Sequence, residues 1–182
     1  MDFVLAFTPF IVFAVLMRAV SVRVGLLAAC AAAALIGARD LARGRQPKIL
    51  EVGAIVLFGG LGALSFVPSA HWTIAGVRLV VDTGLLVIAL GSLALGRPFT
   101  LQIAREQVAP ELWTSEVFLR VNREITLVWA AAFAVLVAAD AAAEFLPRVP
   151  LALEVAATLA ALAAAMAYTR FRSARARRLA RT

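Results

Sequence analysis

"TSEVFLRVNREITLVWAAAFAVLVAADAAA", residues 114–143, is the stretch whose reading decides the fold. From Ile125 to Ala143 it holds a single charged residue, Asp140, and a helix needs roughly 20 such apolar residues to cross a hydrocarbon core about 30 Å thick. Before Ile125 come Glu116, Arg120 and Glu124 at four-residue intervals, which stacks opposite charges on one helix face. Thr114 or Ser115 offers an N-cap hydroxyl. The spacing predicts one unbroken helix whose charged first turns stand proud of a bilayer and whose remainder lies in lipid.

The same length criterion picks out further runs. Residues 49–67 contain one acid, Glu51, near the start and no base; 77–95 and 150–171 are comparable, and 22–37 is shorter but equally apolar. Residues 3–17, interrupted by Pro9, are expected as a short span or a re-entrant hairpin. With 125–143, the expected fold is all-α: a polytopic membrane helix bundle of five or six transmembrane helices, forming a single integral membrane domain over 1–182. Composition agrees, since 63% of residues are hydrophobic and 16% charged, against about half and a quarter in soluble chains. "LAAC" at Leu27–Cys30 looks like a lipoprotein cleavage box, but only Val24–Ala29 separate the last base from the cysteine, short of the roughly 7 to 15 apolar residues of a signal core.

The formal charge of +7 and pI near 11.3 would suggest nucleic acid in a soluble chain. Here the bases lie between spans, so topology accounts for them first. On a six-span arrangement one side receives Arg39, Arg43, Arg45, Lys48, Arg97, Arg105, Arg120, Arg123 and six more after Tyr168, which is fourteen of the eighteen bases. The other side receives Arg18, Arg23, Arg78 and Arg148. Bases concentrate on the cytoplasmic side of membrane proteins. The expected location is therefore a bacterial inner membrane, with the loop 97–124 and the C-terminus in the cytoplasm. If 3–17 does not cross, only the amino terminus changes side.

Loop 97–124 is expected as an interfacial segment, with Phe99, Leu101, Ile103, Leu112 and Trp113 at headgroup depth and Arg105 and Arg120 reaching phosphates. Trp113, Arg120, Arg123 and Glu124 are the candidate surface for another membrane protein, the alternative being a structural elbow. The tail 170–182 carries Arg170, Arg172, Arg175, Arg177, Arg178 and Arg181, bases that an anionic inner leaflet attracts. Phe171 alone makes no aromatic platform for a nucleic-acid strand, so no nucleic-acid partner is expected.

Small residues recur four apart: Ala29, Ala33 and Gly37; Gly59 and Ala63; Ala157, Ala161 and Ala165. Such stripes let helices approach closely in lipid, within the chain first and in a homo-oligomer second. Acids at membrane depth raise a functional question. Arg78 and Asp82 are one turn apart, as are Asp140 and Glu144 with Arg148 beyond them, so these residues form either an outer polar cluster or separate interfacial charges. Cys30 has no second cysteine to pair with, and one cysteine with one histidine, His71, cannot make a metal site of several N or S ligands. No catalytic residue, cofactor or metal is expected. Two alternatives to an interaction protein remain: a small ion- or proton-coupled transporter or channel using Asp82 and Asp140, and an accessory subunit of a larger membrane complex.

Several features occur in a familiar order: "FTPFIVFAVL" at 7–16, the basic turn Arg39–Lys48, "FGGL" at 58–61, "GRPFTLQ" at 96–102, then Phe118, Val121 and Asn122 followed by Trp129 and Phe133. In this the chain resembles a divergent member of the bacterial intracellular septation protein A family of inner-membrane proteins. The pattern departs where members carry Trp in place of Phe118 and a further Trp in place of Ile125. The resemblance implies a role in cell-envelope maintenance and septum formation, exercised through other membrane proteins. It assigns no catalytic residue.

Overall fold

The computed structural model describes residues 2–67, 72–146 and 149–179, the side chains of 2–4 and 177–179 excepted. Among them the chain forms helices α1 (Asp2–Ala19), α2 (Val22–Ala42), α3 (Ile49–Leu64), α4 (Ile74–Ala94), α5 (Phe99–Arg105), α6 (Glu116–Phe145) and α7 (Leu151–Leu179), a 3₁₀ turn at Pro110–Leu112, and no strand. Each expected apolar run is helical. Four helices, α2, α4, α6 and α7, are long and apolar enough to cross a membrane; the apolar parts of α1 and α3, Leu5–Ala19 and Ile49–Leu64, are shorter. At 1.5 Å per residue the 16 residues of α3 reach about 24 Å. α1 runs unbroken through the buried Pro9, which is a single helix rather than a re-entrant hairpin. By contacts the chain divides into two compact units, 1–84 and 85–182, whose boundary falls inside α4.

In the first unit only Val20 and Ser21 separate α1 from α2, so the two helices pack as antiparallel neighbours. Ser21 caps α2 by accepting the Val24 N–H at 3.2 Å. Glycine is required at Gly25, because a Cβ there would lie 2.9 Å from the Met17 backbone nitrogen. Phe13, Met17, Leu26, Ala29, Ala33, Ala54 and Phe58 form the core, with the Phe58 ring 5.1 Å from Phe10 and 5.3 Å from Phe13. Of the buried stripe Ala29, Ala33 and Gly37, Ala29 and Ala33 belong to this core, while a Cβ at Gly37 would meet nothing within 4 Å. Arg23 joins the start of α2 to the end of α3, donating to the Ser65 carbonyl at 2.7 Å and lying 4.8 Å over the Phe66 ring.

Two helices end on the same device. After α2, Gly44 takes a φ of +70° while Arg45 N–H returns to Asp40 O at 2.9 Å and Gly44 N–H to Leu41 O at 2.9 Å. After α4, Gly96 takes +67°, with Arg97 N–H to Ser92 O at 2.9 Å and Gly96 N–H to Leu93 O at 3.0 Å. This Schellman arrangement satisfies the last carbonyls and turns the chain sharply. Pro47 and Pro98 follow, where they cannot prolong a helix.

The first of these turns leads to a buried charge cluster. The Lys48 ammonium donates to the Asp40 carboxylate and to Glu51 Oε1, the latter at 3.1 Å, while Glu51 Oε2 accepts the Lys48 backbone N–H at 3.1 Å. Asp40, Lys48 and Glu51 are 1%, 7% and 2% exposed. The ion pairs and the cap therefore fix the α2–α3 turn together.

In the second unit α6 buries Asn122, Ile125, Thr126, Trp129, Phe133, Leu136 and Asp140 along one face, an apolar stripe at three- and four-residue spacing. α7 packs against α6. Trp129 Nε1 donates to Thr169 Oγ1 at 3.0 Å across that seam. Ala165 is 1% exposed, so the stripe 157–161–165 faces inward at its end.

Candidate interaction surface

Loop 97–124 is a folded cap on the arginine-bearing end of the second unit. Its first anchor is Ser92, whose Oγ accepts the Phe99 N–H at 3.1 Å as the chain leaves α4. Phe99, Leu101 and Ile103 are 1%, 6% and 2% exposed, so these side chains pack against the protein itself. The reason lies in α5: its Thr100 hydroxyl donates to Asn122 O at 3.0 Å and meets Thr126 Oγ1 at 2.8 Å. Since one hydroxyl has one proton, Thr126 is the donor in the second contact. Polar anchoring on α6 thus turns the apolar side chains of α5 inward. Leu112 is exposed.

Trp113 is half-buried and tethers the loop rather than presenting a free ring. Its Nε1 donates to Val108 O at 3.0 Å, and the Arg105 guanidinium lies 5.4 Å from its ring centroid, a cation–π distance. Ser115, of the two expected caps, is the one used: its Oγ accepts the Phe118 N–H at 3.3 Å. α6 then continues through Phe145, 30 residues in all, the unbroken helix that the opening stretch implies.

The expected charge ladder forms only in part. Glu116 pairs with Arg120 at 2.7 Å on an exposed face. Glu124 is drawn across to α7, where its Oε2 accepts two bonds from Arg172, one from Nε at 2.7 Å. Arg172 and Glu124 are thereby a clasp between α6 and α7, and Arg172 is not a free lipid contact. Local spacing favoured the ladder; tertiary packing brought a partner that spacing does not reveal. Arg120 and Arg123 remain exposed on α6, and Arg170 and Arg175 on α7. The side chains of Arg177 and Arg178 and the whole of Arg181 lie outside the described residues, as do Arg148 and His71.

Between the cap and the two helices lies an apolar cavity of about 320 Å³. Val108, Leu112, Phe118, Val121, Ile125 and Ala176 supply most of its wall, with the polar Gln107, Ser115, Asn122 and Ser173 interspersed. Nothing in the sequence marked it, because α5, the 3₁₀ turn, α6 and α7 contribute from distant positions.

Of the outer polar candidates, Arg78 and Asp82 belong to the first unit and Asp140 and Glu144 to the second. Asp140 is fully buried on the α6 face that α7 covers, and Glu154 of α7 is buried too. Among the described residues no group of three or more His, Cys, Asp or Glu is placed to hold a metal ion. Comparison of the chain with family models, with curated proteins and with solved structures gives no match.

Proposed function

We propose that this chain is a polytopic protein of the bacterial inner membrane that acts by binding other membrane proteins rather than by catalysis. All six long helices cross the bilayer, α1 and α3 as short spans, and the arginine-rich loops and tail face the cytoplasm. The observation that carries the reading is the folded cap: a loop that only linked two spans would have no need of the Ser92, Thr100 and Trp113 anchors. An ordered surface binds without the cost of ordering a loop. Arg120 and Arg123 are its contact residues, while Trp113 and Glu124 position the cap and the helix pair. The exposed Arg170 and Arg175 hold anionic headgroups. A role in envelope maintenance and septum formation follows from the sequence resemblance alone.

The test replaces Arg120 and Arg123 by Glu together in the membrane-embedded protein and follows site-specific crosslinking to neighbouring membrane proteins. Loss of specific crosslinks at unchanged abundance and helix content supports the proposal; undiminished crosslinks overturn it. A second reading, transport, is favoured by Asp140, fully buried within an apolar span, where an acid is costly and marks ion paths by default. If Asp82→Asn or Asp140→Asn abolishes ion flux in liposomes while crosslinks persist, transport replaces the interaction reading.

A further inference from the structure

We infer that the last turn of α2 binds the headgroup of one anionic phospholipid between Arg39 and Arg43, with an acyl chain of the same lipid lying along the exposed ridge at Leu35. The inference rests on the membrane reading above and needs no protein partner. Three observations combine. The first is position. Residues 24–38 carry no charge and the bases begin at Arg39, while α2 continues to Ala42 with Arg43 as its cap. Leu35, Arg39 and Arg43 follow at four-residue spacing, which stacks them on one side of the helix, about 6 Å apart along its axis. Leu35 is 72% exposed, and Ala38, Arg39, Ala42 and Arg43 are exposed with it. This face passes from apolar to doubly basic within one turn, as a phospholipid passes from chain to phosphate.

The second is charge. Asp40 stands between the two arginines in sequence, and on the surface it would lie within pairing distance of Arg43, three residues on. It is instead 1% exposed and bound by the Lys48 ammonium, which also holds Glu51, 2% exposed. The buried cluster thus withdraws both acids beside the α2–α3 turn from the surface. Among the described residues no acid holds Arg39 or Arg43, so both present an uncompensated charge.

The third is the helix end itself. Unpaired carbonyls at a helix C-terminus repel an anion, but here Arg39 O accepts the Arg43 N–H, Asp40 O the Arg45 N–H and Leu41 O the Gly44 N–H. The two guanidinium groups are then the polar groups that meet the headgroup, and their planar forks match phosphate oxygens. An apolar ridge ending in unpaired arginines complements an amphiphile with an anionic head. A zwitterionic headgroup offers the same phosphate but carries a cation that cancels the attraction.

The experiment uses the full chain in nanodiscs containing phosphatidylglycerol or phosphatidylcholine whose acyl chain carries a photoreactive diazirine near its glycerol end. Labelled residues are mapped by mass spectrometry. The expected result is labelling of Leu35 and Ala42 that favours the phosphatidylglycerol probe by about fivefold for each arginine, with Val56 of α3, 70% exposed, labelled equally by both probes. Arg39→Gln and Arg43→Gln should each lower the preference about fivefold and together abolish it. Ala38→Arg combined with Arg39→Ala keeps the total charge but sets the two guanidinium groups about 140° apart around the helix in place of about 40°, and should lower the preference as much as Arg39→Gln does. Equal labelling of Leu35 by both lipids, or a preference that survives the displaced arginine and so follows net charge alone, overturns the inference. So does a photoreactive residue placed at Ala42 that crosslinks a protein segment in native membranes in place of lipid. Val56 labelled by neither probe refutes the membrane reading itself, whereas Val56 labelled without a preference at Leu35 refutes the headgroup site alone.

Discussion

Replacing Lys48 by Met removes the cation from a cluster that buries Asp40 and Glu51 at 1% and 2% exposure. At an effective dielectric of 20, two charges at the 3.1 Å separating Lys48 Nζ from Glu51 Oε1 attract by about 5 kcal/mol, and desolvation of the ions offsets most of this in the intact cluster. The offset vanishes on removal of the cation, because two carboxylates are then left side by side without it. The expected loss is about 3–5 kcal/mol. Reversible unfolding by SDS titration in mixed micelles, followed by circular dichroism, measures it, with the exposed Arg39→Gln as a control expected within about 0.5 kcal/mol of the parent. Adding Asp40→Asn and Glu51→Gln to Lys48→Met should recover most of the loss, since both carboxylates disappear while the new side-chain amide at position 51 keeps an oxygen to accept the backbone N–H of position 48. A triple variant as unstable as the single, or a single variant that loses less than about 1 kcal/mol, refutes the reasoning.

Gly25→Ala places a methyl 2.9 Å from the Met17 backbone; overpacking of about 1–3 kcal/mol outweighs the roughly 1 kcal/mol gained in helix propensity, whereas Gly91→Ala, with nothing within 4 Å of its Cβ, should be neutral or stabilising in the same titration. Thr100→Val should cost more than Thr126→Val, because it leaves the buried Thr126 hydroxyl without its acceptor, whereas Thr126→Val leaves the Thr100 hydroxyl its bond to Asn122 O, about 1–3 against about 1 kcal/mol; equal losses would contradict the donor assignment. Exchanging the charges of the α6–α7 clasp, Glu124→Arg with Arg172→Glu, should recover part of what either single reversal loses, with a coupling of about 1 kcal/mol for this partly exposed pair.

The helices were legible in the sequence because length and polarity alone decide whether a run fits the hydrocarbon core, and each apolar run marks one. Their ends were less so. α2 continues from Gly37 through Arg39 and Asp40 to Ala42, since charge does not stop a helix and the positive φ of Gly44 does. Lys48 read as a topological base; Glu51 three residues on and Asp40 at the end of the preceding helix were the signal for a buried cluster. The packing of α5 was hidden because Phe99, Leu101 and Ile103 alternate like a surface segment, and only contact with Asn122 and Thr126 turns them inward. Arg172 shows the general limit: its partner lies 48 residues away, beyond any spacing rule.

Membrane arrangement is the claim on which the remainder stands, and its most direct measurement is cysteine accessibility. With Cys30→Ser as background, single cysteines at Gln107 and at Phe66 are exposed in intact bacteria to a membrane-impermeant maleimide. The account predicts labelling at position 66 from outside and at position 107 only after the inner membrane is permeabilised. Labelling of position 107 in intact cells, or recovery of the chain from the aqueous fraction without detergent, would contradict it.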